Sequence, residues 1–363
     1  MKQSIFKKLI LLSLLACGHA SYAESLKTIR IGSPDLTAGQ KHAGGGVVDV
    51  LYNKKLLEQE LAKNNVKVEW HFFKGAGPAI NEALANNQLD FAFLGDLPPI
   101  IGKANGLDTQ LLVPTARGIT NYLAVRSDLS IKNFAELKGK RVGLLRGTAD
   151  ELSFVSALNS QGLKLSDVRV VNLDFNAVNA ALAAKKIDAS WGPSRFFALR
   201  DKHIVNLPIS SRQLNGAGST QGVFLGRQSF IRQHPNETQQ VVTQVVKGLN
   251  WLSNEQNRVP QVALFFTQSG YPASIYAQEL NGVNLKFLYS PLFDGYYTQQ
   301  LQQKITLATQ QGLIRKNIDV KSWINPSFVN QALEQSNLKT YWKPTLKTYW
   351  KPTQQYEYLK SVK

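Results

Sequence analysis

Two short runs in this sequence have the residue types and spacing to hold an anion. Gly75-Ala76-Gly77-Pro78 heads one amphipathic stretch, Gly95-Asp96-Leu97-Pro98 heads another, and an apolar strand lies between them. A helix start leaves backbone N–H groups without intrahelical partners, and its dipole favours negative charge there. Proline in the first helical position loses no hydrogen bond. Gly77 and Pro78 are therefore expected at the N-cap and first helical position, with the N–H groups of Ala79 and Ile80 facing a ligand and Lys74 adding positive potential.

A further start is expected at Arg146-Gly147-Thr148, where Thr148 and Glu151 have capping-box spacing. Asp150 and Glu151 put negative charge into that first turn, so the start at Gly77 is the better anion site. Arg146, Gly147 and Thr148 would then close over the ligand from the other side. Arg146 is either a partner making paired charge-assisted hydrogen bonds or a solvated surface charge. Trp191 is either an apolar wall of the pocket or core. Asp96 is the only obvious carboxylate in these motifs and has no histidine paired with it, which argues against general acid–base catalysis. His42, His71, His203 and His234 lack ligand-like spacing, and Arg146-Gly147-Thr148 lacks the other residues of a phosphate-binding P-loop. No metal or cofactor is expected.

These motifs need elements to position them. From Leu26 onward short β-rich runs alternate with helical patterns, which predicts an α/β architecture. Thr28 to Ile31, Val66 to Phe73 and Leu89 to Leu94 read as strands, and a polar, glycine-rich loop containing Gln40, Lys41 and His42 runs from Gly32 to Gly46. A crossing to a second lobe is expected at Thr115 to Gly118. That lobe repeats the alternation with Val142 to Leu145, Val170 to Leu173 and Asp188 to Trp191, and the chain returns through the aperiodic stretch from Pro208 to Gly222. Mainly helical patterns follow. The expected organisation is 1–23 leader, 24–116 first lobe, 117–222 second lobe, 223–335 completion of the first lobe, and 336–363 a basic aromatic tail.

Composition narrows the class. A chain of 363 residues with 43% hydrophobic content can fill more than one core. Lys2, Lys7 and Lys8 precede the apolar run Leu9 to Ala16, and Ser21-Tyr22-Ala23 is a small-x-small cleavage pattern, so export by a signal peptide is expected. Leu14-Leu15-Ala16-Cys17 also has the form of a lipobox, the alternative being a lipoprotein anchored through Cys17. Cys17 is the only cysteine, so cleavage after Ala23 leaves no thiol for a disulfide, a nucleophile or a metal. The net charge of +17 is partly concentrated in the tail, where "LKTYWKPT" occurs twice in succession from Leu338. Export argues against nucleic acid as the partner. The repeat is expected to be a duplication in a tolerant terminus lying outside the fold.

"GAGPAINEAL", "QLDFAFLGDLPPIIGKANG", "LKGKRVGLLRGT" and "ASWGP", in this order, resemble the periplasmic aliphatic-sulfonate, taurine and nitrate binding proteins of ABC importers, over roughly Ile29 to Ala332. The resemblance implies a type II periplasmic binding protein fold: two α/β lobes joined by two crossover strands, closing by a hinge on a small anion for delivery to a membrane permease. It implies a monomeric, non-enzymatic binder of an aliphatic sulfonate. Ligand contacts would come from Gln40 and His42 near the first strand, from Gly77, Pro78 and Ala79, from Gly95, Asp96 and Leu97, from Arg146, Gly147 and Thr148, and from Trp191. Two departures bear on the ligand, since relatives usually carry threonine or serine at Leu97 and Trp-Asp-Pro where Trp191-Gly192-Pro193 stands. An apolar pocket built by Leu97 and Trp191 would favour an aromatic sulfonate or a pyrimidine precursor. An enzyme on the same clamshell, such as a desulfinase, would use a cysteine nucleophile that the exported chain lacks.

Overall fold

The computed structural model describes residues 26–37 and 39–344. The expected leader, Cys17, the cleavage point after Ala23 and the second copy of the octamer lie outside the described residues. Ten strands are present among the described residues: β1 (Thr28–Pro34), β2 (Lys67–Phe73), β3 (Phe91–Gly95), β4 (Thr109–Ile119), β5 (Tyr122–Arg126), β6 (Arg141–Leu144), β7 (Arg169–Asn172), β8 (Ala189–Gly192), β9 (Val205–Ser210) and β10 (Thr220–Arg227). They form two five-stranded sheets, ordered β2-β1-β3-β10-β4 and β7-β6-β8-β5-β9.

The two sheets share one plan. β1 runs parallel to β2 and β3, and β6 runs parallel to β7 and β8. The strand that arrives from the other sheet is antiparallel to its neighbours in each case, β10 against β3 and β4, and β5 against β8 and β9. The chain thus passes between sheets after β4 and returns before β10, which gives the α/β fold of two lobes with two crossings.

Strand periodicity explains the layering. Along β3, Phe91 and Phe93 join one core cluster while Ala92 and Leu94 join another, because successive side chains point to opposite faces. The first cluster packs Ile29, Ile31 and Phe224 against helix Pro235–Ser253 through Val241, Val245 and Leu249. The second collects Ile80, Leu84, Leu97 and Ile100 with Leu301 and Ile305 of helix Gly295–Gln310. Covered on both faces, the strand reads as a continuous apolar run.

Three expectations change on the folded chain. Thr115 to Gly118 is not the crossing, because β4 continues to Ile119 and the turn falls at Thr120-Asn121. There the Asn121 amide donates to Ser153 Oγ and to the Gly218 carbonyl, both at 2.8 Å, which ties the outward crossing to the returning one. Trp191 is fully buried beneath these crossings, donates to Ser153 Oγ at 2.7 Å and packs on Phe134 and Phe154. Gly218, at φ 81°, must be glycine, since a Cβ there would lie 2.6 Å from the Trp191 ring. The first copy of the octamer also lies inside the fold: Trp342 is buried in the first-lobe core, Leu338 and Tyr341 pack against it, and Lys286 sits over the Tyr341 ring.

Candidate functional site

A cavity of about 580 Å³ lies between the lobes, lined from the first lobe and from the second. Its size is in the range of small-molecule sites. Several helix starts reach it, among them Val47–Asn53, Ala76–Ala85, Ala149–Ser160 and Phe175–Ala183.

The Ala76 helix begins earlier than Gly-Pro spacing suggests. Gly75 is the N-cap and Ala76 the first helical residue, with φ +49°, so Gly77 and Pro78 lie inside the first turn. The unpaired N–H positions of a helix are those of its first turn, which here means Ala76 and Gly77 instead of Ala79 and Ile80. This turn has no acidic residue and no capping side chain. Gly77 tolerates no side chain, because a Cβ would stand 2.2 Å from the Pro98 ring. Pro78 is exposed and packs towards Gly147, and neither Pro78 nor Ala79 lines the cavity.

The Ala149 helix faces it from the second lobe. A Cβ on Gly95 would lie 2.6 Å from the Ala149 Cβ, and a Cβ on Gly77 would lie 3.6 Å from the Gly147 carbonyl oxygen, so the two helix starts meet across the cleft. Leu152 of this helix packs into the first-lobe core while Phe154, Ala157 and Leu158 fill the second. The expected capping box does not form. Thr148, which lines the cavity, spends its hydroxyl on the Leu145 carbonyl at 2.6 Å, and Glu151 accepts from Gly147 N–H at 2.7 Å. Asp150 is held by Arg195 at 2.8 Å.

Arg195 was not singled out by sequence reasoning, yet its surroundings make it the most developed cation of the site. Its guanidinium lies over the rings of Phe175 and Phe196, at 4.7 and 4.6 Å, and its buried Nε has no partner among the described residues. Gly192 makes the room, since the nearest atoms to a Cβ there are those of the Arg195 guanidinium. The departure at Trp191-Gly192-Pro193 thus reaches the cavity through Arg195.

Several predicted residues stand elsewhere. Leu97 is fully buried in the first-lobe core, because the helix Leu97–Ala104 turns Pro98 to the cavity and Leu97 away from it. Asp96 also turns inward, beside Lys304 Nζ at 3.4 Å and the Gln221 N–H at 3.2 Å; burial raises its carboxyl while Lys304 opposes the rise. Arg146 and Gln40 are exposed and away from the lining. His42 bonds Asp35 at 3.1 Å and stacks on Phe72, so it supports the lining without joining it. With Leu97 and Trp191 in the cores, the apolar pocket they were expected to build is not made by them.

Acidic and aromatic residues supply the remaining wall. Asp35, Asp49, Asp150, Asp174 and Glu279 line the cavity, against Lys74, Arg195 and Arg212. Asp49, in the first turn of the Val47 helix, is 2% exposed and accepts from the Gly44 and Gly45 N–H groups at 2.9 and 3.2 Å. Burial pushes its carboxyl up to about 7. Tyr271, Tyr276 and Tyr289 close over this wall, and burial raises their hydroxyls, the charges of Glu279 and Asp49 adding to the rise at Tyr276 and Tyr289. Ser194 Oγ donates to Glu279 at 2.5 Å across the cleft.

Known proteins align with this arrangement. Residues 62–258 match the family model described as NMT1/THI5 like. A Bacillus subtilis (strain 168) protein named as an aliphatic sulfonates-binding protein is 26% identical over 350 residues, which is 92% of this chain and 98% of that protein. The sulfonate-binding protein SsuA of a Methylobacillus flagellatus KT ABC transporter, described as periplasmic, gives a TM-score of 0.76 at 31% identity, covering 90% of this chain and 100% of that one. The desulfurization enzyme DSZB shares the fold alone, with a TM-score of 0.63 and 16% identity over 85% of this chain and 99% of that one.

Proposed function

The chain belongs to the NMT1/THI5-like family, and from that premise we propose that it is a periplasmic solute-binding protein that captures an organic sulfonate and delivers it to a membrane ABC permease. The observation that carries this reading is the start of the Ala76 helix, which opens on the interlobe cavity with no acid and no cap in its first turn. Backbone N–H groups at such a start, aligned with the helix dipole, form a ready anion site. The sulfonate head takes the N–H groups of Ala76 and Gly77 from one lobe and the Arg195 guanidinium from the other, so that binding draws the lobes together. Thr148 and Gly95 shape the space around the head by holding the two helix starts in contact.

The protein works as an exported monomer, with the N-terminal run either cleaved after Ala23 or lipidated at Cys17. A mass spectrum of the mature N-terminus distinguishes the two. It is a binder and not an enzyme; sulfite release from an aryl sulfinate would overturn that.

The test of function is a thermal-shift panel on the mature protein. A ligand bound only by the folded state at a hundredfold excess over its Kd stabilises by about 2.7 kcal/mol. Alkanesulfonates or taurine should raise the melting temperature, and nitrate or bicarbonate should do less. No shift with any sulfonate would sink the assignment.

A further inference from the structure

A pure anion trap should not be walled by acids. The cavity carries five carboxylates and three basic side chains, in a chain whose net charge is +17. Most of these carboxylates are accounted for. Arg195 pairs with Asp150, His42 bonds Asp35, Asp174 caps its own helix through Ala177 N–H, and Ser194 and Arg212 attend Glu279. Asp49 is different. It is 2% exposed and lines the cavity, no basic side chain pairs with it among the described residues, and the two hydrogen bonds it accepts there both come from backbone N–H groups and go to Oδ1. A buried carboxylate without a cation is costly unless a charge of opposite sign arrives. The tyrosines that feel its charge, Tyr276 and Tyr289, line the same cavity and offer ring faces and hydroxyls that suit an ammonium group.

Building on the proposed sulfonate site, we infer that the preferred ligand is a zwitterion whose protonated amine lies against Asp49 and the tyrosine wall, an apolar spacer separating it from the sulfonate. Asp49 is then the residue that selects aminosulfonates over plain sulfonates. A cavity of about 580 Å³ leaves room for a spacer longer than that of taurine.

The experiment titrates the mature protein calorimetrically with ω-aminoalkanesulfonates and plain alkanesulfonates, matched in chain length and extended stepwise from taurine. The amine should improve affinity about tenfold or more at the best length, the scale of one charged hydrogen bond, and that length should exceed taurine's. In Asp49→Asn, whose side-chain oxygen can still accept from Gly44 and Gly45, the ratio should collapse towards unity while plain alkanesulfonates bind more tightly than in the wild type. A wild-type ratio at or below unity overturns the inference while leaving sulfonate capture standing, as does a ratio that survives in Asp49→Asn. Failure of every sulfonate to bind overturns the proposed function itself and the inference with it.

Discussion

Two helices of the same lobe open on the same cavity from glycine-led turns, neither with a capping side chain, and they treat charge in opposite ways. The Ala76 helix has no acid in its first turn, whereas the Val47 helix has Asp49 there. The first meets its N–H groups with neither an acid nor a capping side chain of its own. In the second, the carboxylate, itself part of the cavity lining, takes the N–H groups of Gly44 and Gly45 on one oxygen. On the proposed reading, a helix start offers a ligand site only where the chain withholds its own anion. The Ala149 helix of the other lobe reinforces this, because Asp150 and Glu151 occupy its first turn and Glu151 takes the Gly147 N–H.

The largest effect expected from this contrast concerns stability. The Asp49 carboxyl is raised from 3.8 to about 7 in the folded protein, so the native state holds a proton that the unfolded chain releases at lower pH. Stability without ligand should therefore fall as pH rises from about 4 through about 7. The contribution of this one group reaches at most about 4 kcal/mol above that window. Asp49→Asn removes it: the variant should match the wild type near pH 4 and exceed it above pH 7 in urea unfolding. Parallel stability curves would mean that Asp49 is hydrated and that the contrast fails.

Next in size is a test of the Ala76 helix. Gly77 cannot accept a side chain beside Pro98, whereas Gly75 is the exposed N-cap with an ordinary φ of −72°, and a Cβ there meets only the Ala79 Cβ, at a tight 3.0 Å that calls for a slight local shift. Gly75→Asp supplies the missing anion. Sulfonate affinity should fall about tenfold, or 1.4 kcal/mol, while Gly75→Asn, of nearly equal size but neutral, should lose much less in the same calorimetric titration. Equal losses would assign the effect to bulk. The smallest effect belongs to the opposite lobe, where Glu151→Gln removes one first-turn charge; affinity should rise a few-fold, corresponding to about 0.3–1 kcal/mol of helix-end electrostatics. A decrease would indicate that Glu151 matters more for holding the Gly147 turn than for its charge.

Legibility followed the range of the interactions involved. A helix near Gly77, though not its exact start, the buried strand after it and the repeated strand–helix order were readable because each rests on neighbours in sequence. Leu97 and Trp191 were ambiguous for a physical reason: an apolar side chain can face a pocket or a core, and local spacing does not distinguish them. Asp49 gave no signal beyond that of an ordinary first-turn acid, and Arg195 none beyond that of a basic residue after a proline.

The sequence by itself determined the α/β alternation, the two-lobe order of the chain and a helix start near Gly77, since hydrophobic period, proline placement and glycine positions act over a few residues. Only the tertiary structure decided which charges share the cavity. Asp49 becomes a buried acid because Tyr276, Glu279 and Tyr289 arrive from the far end of the chain to close over it, and Arg195 joins the same cavity wall because the chain crosses between sheets twice. Burial and pairing depend on what arrives from distant sequence, and they set the electrostatic cost of charge on Asp49.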